Sequence, residues 1–200
     1  SDIDGDMRFI GKVATLALGF QGGVNAFTTM GKNYGVEIDE TLATETVRNY
    51  RRANKRIVSL WHTMNDGVMD VVGRTTKCKT VGQLLIDLED DWLTVRLPSG
   101  RKLTYYKPLN ENHESSGRIK TTFMGVGFNR KFMRIDTYGG KLCENITQAV
   151  ARDVLGANLS VIEAAGYEIV ATVHDEVVTL CPDEEQYNAP ALSALLSTSP

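Results

Sequence analysis

Two adjacent carboxylates, Asp175 and Glu176, interrupt an apolar run in the segment 172–178. The flanking residues are typical of a buried strand, where an uncompensated carboxylate is costly, so a pair of them calls for a cation. A tight turn between two strands would hold Asp175 on a rigid support, facing a hard divalent ion that prefers oxygen ligands. A hairpin turn that is merely acidic gives the same pattern, and the segment alone leaves both interpretations open.

A second pattern lies near the start of the chain, where Arg8, Lys12, Leu16 and Phe20 recur at intervals of four residues. On a helix this spacing places them along one slowly drifting face, with Lys12 and Phe20 about 12 Å apart along the axis. Such a face suits a nucleoside triphosphate, because the cations meet the phosphates while the aromatic ring lies near the base. The alternative is a surface helix with two solvated cations and a core aromatic residue.

A third pattern places polar side chains close together on a helix, since Asn145, Gln148 and Arg152 stand at positions i, i+3 and i+7. Side-chain amides can contact the acceptors that all base pairs present in the minor groove. Contacts of this kind test the geometry of a base pair rather than its sequence. An ordinary polar helix face is the alternative interpretation.

The composition is that of a globular chain, with 42% hydrophobic and 24% charged residues among 200 and a net charge of -3. No apolar run reaches the length of a membrane span and no signal-peptide pattern is present, which predicts a cytoplasmic protein without membrane association. Cys78, Cys143 and Cys181 are widely spaced, so neither a disulfide framework nor a zinc site is predicted. Basic residues cluster between Arg48 and Arg56, which is compatible with a polar cleft.

Hydrophobic periodicity divides the chain into helical and extended segments. Helices are predicted at 8–20, 24–32, 41–69 and 141–165, with an interruption of the third at 65–67. Strands are predicted at 92–97, 101–106, 119–126 and 131–137, with a polar loop at 110–117 and two further strands within 167–180 that meet at 174–176. No closing element is predicted for residues 195–200.

Taken in this order, the three patterns resemble those of the family A DNA polymerases, most closely the bacteriophage enzymes. The motif B of this family is an arginine, a lysine four residues later and an aromatic residue eight residues after that, which Arg8, Lys12 and Phe20 match. Its motif C is His-Asp-Glu between apolar residues, matched at 174–176. A helix with a glutamine lies between the two motifs, and Gln148 matches it.

The resemblance implies a chemical role for each motif. Arg8 and Lys12 would bind the incoming deoxynucleoside triphosphate, and Phe20 would stack at the insertion site. Asp175 would be a ligand of catalytic Mg²⁺, of which two ions are expected in the complete enzyme. The implied reaction is attack of a primer 3′-hydroxyl on the α-phosphate. The other motif C residues complete the predicted catalytic set, Glu176 supporting the metal and His174 lying near the primer terminus.

The same resemblance implies contacts with primer–template DNA. Gln148 would contact the nascent base pair, and the predicted DNA-binding set also contains Asn145, Arg152 and Gln21. Gln21 stands where the family usually has a glycine. Leu16 belongs to the predicted nucleotide-binding set and stands where many relatives have an aromatic residue that touches the sugar.

The family's motif A, the strand with the second metal-binding aspartate, has no match. Asp2, Asp4 and Asp6 lie in a polar stretch directly before the first helix, without a strand pattern. The resemblance thus implies an incomplete right-hand polymerase of the α+β class, with helical fingers and an antiparallel palm sheet. The expected segments are finger helices at about 1–75, a β-hairpin insertion or connector at about 76–140, and the palm with motif C at about 141–200.

A chain without motif A is expected to be inactive alone and to require the missing upstream polymerase segment. The other expected partners are primer–template DNA, deoxynucleoside triphosphates and a processivity or replisome protein, in a host cytoplasm if a phage encodes the chain. Two alternatives remain. Single-subunit RNA polymerases share similar motifs but typically follow the aspartate with serine. A non-catalytic nucleic-acid-binding module would use the basic helix around Arg51 and Arg52.

Overall fold

The computed structural model describes residues 5–112 and 117–198, which form an α+β structure with six helices and eight strands. The comparison of Asp2 and Asp4 with motif A falls outside the described residues, as does the side chain of Asp6. The chain divides into two compact units, with the boundary between Ile146 and Thr147. Each unit is described by itself.

The first unit opens with four helices: α1 (Gly5–Leu18), α2 (Val24–Asn33), α3 (Glu40–Ala53) and α4 (Lys55–Val72). Helices α1 to α3 enclose an apolar cluster centred on Phe27, which is completely buried. Asp39 caps the N-terminus of α3, because its Oδ1 accepts a hydrogen bond of 2.8 Å from Leu42 N. The first two helices were predicted from periodicity and are confirmed.

The prediction of one long helix over 41–69 is wrong. The helix breaks at Asn54, whose Nδ2 donates a hydrogen bond of 2.9 Å to Tyr50 O and so occupies a carbonyl of the preceding turn. The interruption predicted at 65–67 does not occur, since α4 continues to Val72. Gly67 lies within α4 and faces the sheet. A Cβ added there would lie 3.0 Å from Ile86 Cδ1, so the close approach of the helix to the sheet favours glycine at this position.

Six antiparallel strands follow in chain order, each paired with its neighbours in sequence. They are β1 (Cys78–Val81), β2 (Leu84–Glu89), β3 (Trp92–Arg96), β4 (Lys102–Asn112), β5 (Ile119–Val126) and β6 (Phe132–Thr137). The two predicted hairpins are confirmed as β3–β4 and β5–β6. Strands β1 and β2 were not predicted. The loop predicted at 110–117 begins later than expected, and residues 113–116 lie outside the described ranges.

One face of this sheet packs against α4. Ile86, Leu93 and Val95 are buried on that face, and Asn110 Nδ2 donates a hydrogen bond of 2.9 Å to Met69 O of the helix. The side chains alternate between the two faces along each strand, so the intervening residues point away from α4.

Helix α5 (Gly139–Ala164) begins in the first unit and continues into the second. The second unit adds the hairpin β7 (Glu168–Val173) and β8 (Glu176–Leu180) and the helix α6 (Ala189–Leu196). The hairpin is confirmed, whereas α6 was not predicted. Asn188 caps α6 by accepting a hydrogen bond of 2.9 Å from Ala191 N.

Candidate functional site

Helix α1 presents its predicted basic stripe to solvent. Arg8 and Lys12 are exposed, and Leu16 is 44% exposed. The opposite side of the helix is anchored in the core, where Val13 and Leu18 are each 1% exposed. The helix therefore holds two cations one turn apart on a packed support.

Phe20 does not belong to this helix, so the prediction that it continues the helical stripe of Arg8, Lys12 and Leu16 is wrong. Helix α1 ends at Leu18, and Gly19 N makes a closing hydrogen bond of 3.0 Å to Thr15 O. Phe20 is half-buried in the turn that follows. The physical reason is the backbone of Gln21, whose φ of 70° lies in the left-handed region that ends a helix.

Gln21 links the end of α1 to the start of α5. Its Oε1 accepts a hydrogen bond of 2.8 Å from Gly140 N. The approach is close, because a Cβ added at Gly140 would lie 2.2 Å from Phe20 O, and one added at Gly139 would lie 1.8 Å from Trp61 O. Trp61 Nε1 in turn donates a hydrogen bond of 3.1 Å to Gly19 O. Hydrogen bonds from α4 and from the start of α5 thus fix the turn after α1, and all three segments belong to the first unit.

Asn145 also lies in a packed environment rather than on an open helix face. It is half-buried, and its Nδ2 donates a hydrogen bond of 3.1 Å to Tyr105 Oη. Burial raises the pKa of the Tyr105 hydroxyl above its ordinary value of 10.0, although the hydrogen bond from Asn145 and the charge of Lys141 act in the opposite direction. Asn145 therefore joins α5 to the sheet within the first unit.

The other two members of the predicted polar cluster, Gln148 and Arg152, lie on α5 in the second unit and are exposed. Four residues separate them, so they lie on one side of the helix, one turn apart. Their exposure leaves both side chains accessible to a ligand.

Motif C forms the tip of the β7–β8 hairpin. His174 and Asp175 make the turn and Glu176 begins β8. His174 has a φ of 54°, which is uncommon for a non-glycine residue but is the conformation that a two-residue hairpin turn requires. All three side chains are exposed. The expectation that these carboxylates interrupt a buried strand is therefore wrong. Because the carboxylates are exposed, they do not need a cation to compensate for burial.

The residues at the tip match part of a magnesium ligand set. Within residues 5–112 and 117–198, no three His, Cys, Asp or Glu side chains are grouped to hold a metal ion. Asp175 and Glu176 nevertheless offer adjacent carboxylates, and Mg²⁺ usually takes only one or two protein carboxylates together with water and substrate phosphates. The chemistry of these donors fits a magnesium site that other groups complete.

The outward face of the β3–β6 sheet carries aromatic residues for which no role was predicted. Trp92 is 44% exposed there and its ring centroid lies 4.7 Å from that of Tyr106. The sequence could have indicated this face, because side chains alternate between the two faces of a strand and both aromatic residues lie in the predicted hairpin. None of the helices in the described part of the chain has the length and apolarity to span a membrane.

A comparison with curated proteins finds a DNA polymerase of Bacillus phage SP02. It is 42% identical to this chain over 177 residues, which cover 88% of the chain and 27% of the polymerase. The chain thus corresponds to about a quarter of the length of this relative. No protein-family model matches the chain. No solved structure matches it either.

Proposed function

We propose that this chain acts in template-directed DNA synthesis, as the fingers and later palm of a family A polymerase with the right-hand fold. The observation that carries the proposal is the 42% identity over 88% of the chain to a phage DNA polymerase. The exposed carboxylates at the tip of the β7–β8 hairpin and the exposed basic stripe of α1 add support, because both are accessible to a nucleotide and DNA.

In this proposal α1 binds the incoming deoxynucleoside triphosphate. Arg8 and Lys12 lie one helical turn apart, a spacing that lets the two cations contact neighbouring phosphate oxygens. Leu16 lies one turn further on and contacts the sugar. Phe20 stacks on the base from the turn after the helix, where Gln21 and Trp61 restrict its movement. This fixed turn positions the ring without the cost of ordering a loop during binding.

The carboxylates of the predicted motif C would hold the metal ions. When bound, Mg²⁺ would supply charge neutralisation for the attacking and leaving oxygens of the transfer. Asp175 would be the direct ligand and Glu176 would support it, while His174 would lie near the primer terminus. The triphosphate and an aspartate of the expected upstream polymerase segment would complete the ligand set.

The primer–template duplex contacts the exposed polar residues of α5. Gln148 and Arg152 reach the minor groove, where amides and guanidinium groups bind the acceptors shared by all base pairs. Asn145 and Gln21 belong to the same proposed DNA-binding set. Each of these two side chains already makes one internal hydrogen bond, which restricts its orientation. Their remaining polar atoms would contact DNA.

A second candidate is a nucleic-acid-binding module without catalysis. The exposed basic residues of α3 and α4 favour it, because clustered cations at Arg48, Arg51, Arg52, Lys55 and Arg56 bind phosphates without regard to sequence. Such a module has no use for motif C or for free nucleotides.

Magnesium-dependent binding of a fluorescent deoxynucleoside triphosphate to the 200-residue chain separates the two candidates. Lys12→Gln and Arg8→Gln are expected to weaken binding about 10-fold to 100-fold, because each loses a charge-assisted hydrogen bond. Lys32→Gln removes an exposed lysine from α2 and is the matched control. Equal binding by all variants, or no binding to any, would favour the module.

Sugar preference separates DNA synthesis from the activity of a single-subunit RNA polymerase. The 200 residues alone are expected to bind a deoxynucleotide but not to extend a primer, so extension is measured on the chain joined to its expected upstream segment. Extension that proceeds with ribonucleotides at an equal rate would contradict the assignment to DNA synthesis.

A further inference from the structure

The outward face of the six-stranded sheet carries a continuous row of large side chains. Trp92 stands opposite Tyr106, Tyr106 opposite Met124, and Met124 opposite Arg134. Directly opposed residues of antiparallel strands point to the same face, so these four side chains cross β3 to β6 in one line. At the usual strand spacing the line is about 14 Å long.

The aromatic part of this row remains in contact with water. Trp92 is 44% exposed, and its ring is tilted by 40° against the ring of Tyr106. Phe132, which stands opposite Val126 on the same face, is 61% exposed. Phe128 projects fully into solvent from the β5–β6 turn. Large aromatic surface exposed on an ordered sheet usually marks a binding site.

Two cations belong to this surface, Lys107 beside the row and Arg134 at its β6 end. Lys107 Nζ lies 5.4 Å from the centroid of the Tyr106 ring. Arg134 is held by hydrogen bonds from its Nη1 to Thr122 Oγ1, at 2.9 Å, and to Lys107 O, at 3.2 Å. A guanidinium that is already fixed loses little conformational freedom when it binds a ligand.

Two acidic residues of this face are paired with lysines. Glu89 forms an ion pair with Lys102, and Asp136 forms one with Lys120 at 3.1 Å. Asp90 lies beside Trp92, so the positive part of the row is its other end, at Lys107 and Arg134. A polyanion with flat, apolar faces complements both features at once.

We propose that the outward face of β3–β6 binds single-stranded DNA, with bases stacked on Trp92, Tyr106 and Phe132 and phosphates at Lys107 and Arg134. A sheet with exposed aromatic residues typically stacks two or three unpaired bases, which fits the length of this row. A duplex cannot use such a surface, because its bases are already stacked on one another. The proposal goes beyond the polymerase assignment and does not depend on catalysis or on bound nucleotide.

The direct test is the affinity of the 200-residue chain for a fluorescein-labelled oligothymidine, measured by fluorescence anisotropy without Mg²⁺ or nucleotides. Trp92→Leu is expected to weaken binding about 5-fold to 100-fold, because base–aromatic stacking is lost. Trp92→Phe keeps an aromatic face and is expected to bind within about 3-fold of the unaltered chain. Leucine and phenylalanine are both apolar, so the pair separates stacking from a general loss of packing.

Tryptophan fluorescence gives a second readout of the same contact. The chain has two tryptophans and Trp61 is 1% exposed, so quenching by an unlabelled oligothymidine reports on Trp92. Lys107→Gln is expected to lower the dependence of log affinity on log salt by about 0.7, the value for one phosphate contact on a single strand. Lys32→Gln, which alters a lysine of α2, is expected to leave the slope unchanged.

Several outcomes would overturn the proposal. These are equal binding by Trp92→Leu and the unaltered chain, equal loss in Trp92→Leu and Trp92→Phe, and equal affinity for a blunt duplex of the same length. A dimer that Trp92→Leu dissociates would show that a second copy of the chain covers the face instead. If the chain binds oligothymidine but not the triphosphate, the result counts against the polymerase assignment and not against this proposal.

Discussion

The sheets of the two compact units differ in whether one face is buried. In the first unit Ile86 and Leu93 of the six-stranded sheet are at most 1% exposed. In the second unit Val173 and Leu180 of the β7–β8 hairpin are 49% and 59% exposed. A two-stranded hairpin is marginally stable unless a further strand or helix covers one of its faces.

The residues of the two proposed sites stand on different kinds of support. The basic stripe of α1, proposed to bind nucleotide, stands on a helix that the core of its own unit fixes. The turn with Asp175, proposed to bind metal, stands on a hairpin in which no residue is buried.

The largest expected effect concerns local stability. Backbone amides of β3 and β4 are expected to exchange with solvent at least about 10³-fold more slowly than those of β7 and β8, because central strands open only in global unfolding. Hydrogen exchange followed by mass spectrometry measures both regions in one experiment. Equal protection of the two hairpins would remove the distinction between the units.

Gly139→Ala is expected to destabilise the first unit by about 3 kcal/mol or more, because the new Cβ would collide with the backbone at Trp61 O. Urea unfolding followed by tryptophan fluorescence measures the free energy of unfolding. Gly11→Ala, on α1, is the matched control: an added Cβ there meets nothing within 4 Å. This control is expected to stabilise the unit by about 1 kcal/mol through helix propensity.

Gln21 offers a smaller and more specific test of the link between α1 and α5. Gln21→Ala loses the hydrogen bond to Gly140 N and keeps the left-handed backbone, so a cost of about 1 kcal/mol in the free energy of unfolding is expected. Gln21→Gly loses the same bond but relieves the backbone strain, so a change within about 0.5 kcal/mol is expected. Identical effects of the two substitutions would contradict this explanation.

An effect that is absent at neutral pH concerns the buried thiol near the start of α5. Burial raises the pKa of Cys143 from 9.0 to about 11. Between these values the folded state holds more protons than the unfolded state, so the stability contributed by this thiol is present below pH 9 and is lost as the pH rises towards 11. Cys143→Ala is expected to remove this part of the pH dependence in urea unfolding.

Thiol labelling provides an independent check of the same burial. Cys78 and Cys181 are exposed and are expected to react quickly with a maleimide at pH 8, while Cys143 reacts only on unfolding. Fast labelling of all three thiols would contradict the packing of α5 in the first unit.

Elements with a clear period were predictable from sequence. Helix α1, helix α5 and the β3–β4 hairpin each show a regular pattern of apolar residues. Strand β2 was missed because its apolar residues are nearly continuous, and short apolar runs fit a helix or a strand equally well. The break at Asn54 was missed because a single side chain that bonds to a local carbonyl leaves no periodic signal.

The roles of the candidate site residues stay predictions, and their surroundings were not predictable from spacing. Spacing singled out Arg8, Lys12 and residues 174–176, and the structure leaves their side chains exposed. The partner of Gln21 lies 119 residues away, and such a contact depends on how the turn after α1 meets the start of α5. The exposure of motif C likewise depends on what covers the hairpin, which local sequence does not encode.

Primer extension tests the central claim most directly. The polypeptide that joins this chain to its upstream polymerase segment is assayed with Mg²⁺ and deoxynucleotides on a primed template. Asp175→Asn is expected to reduce extension by at least about 10²-fold, because it removes a charged metal ligand, while Asp183→Asn, at an exposed aspartate of the same unit, leaves extension unchanged. Undiminished extension by Asp175→Asn would contradict the proposed metal site and the mechanism built on it.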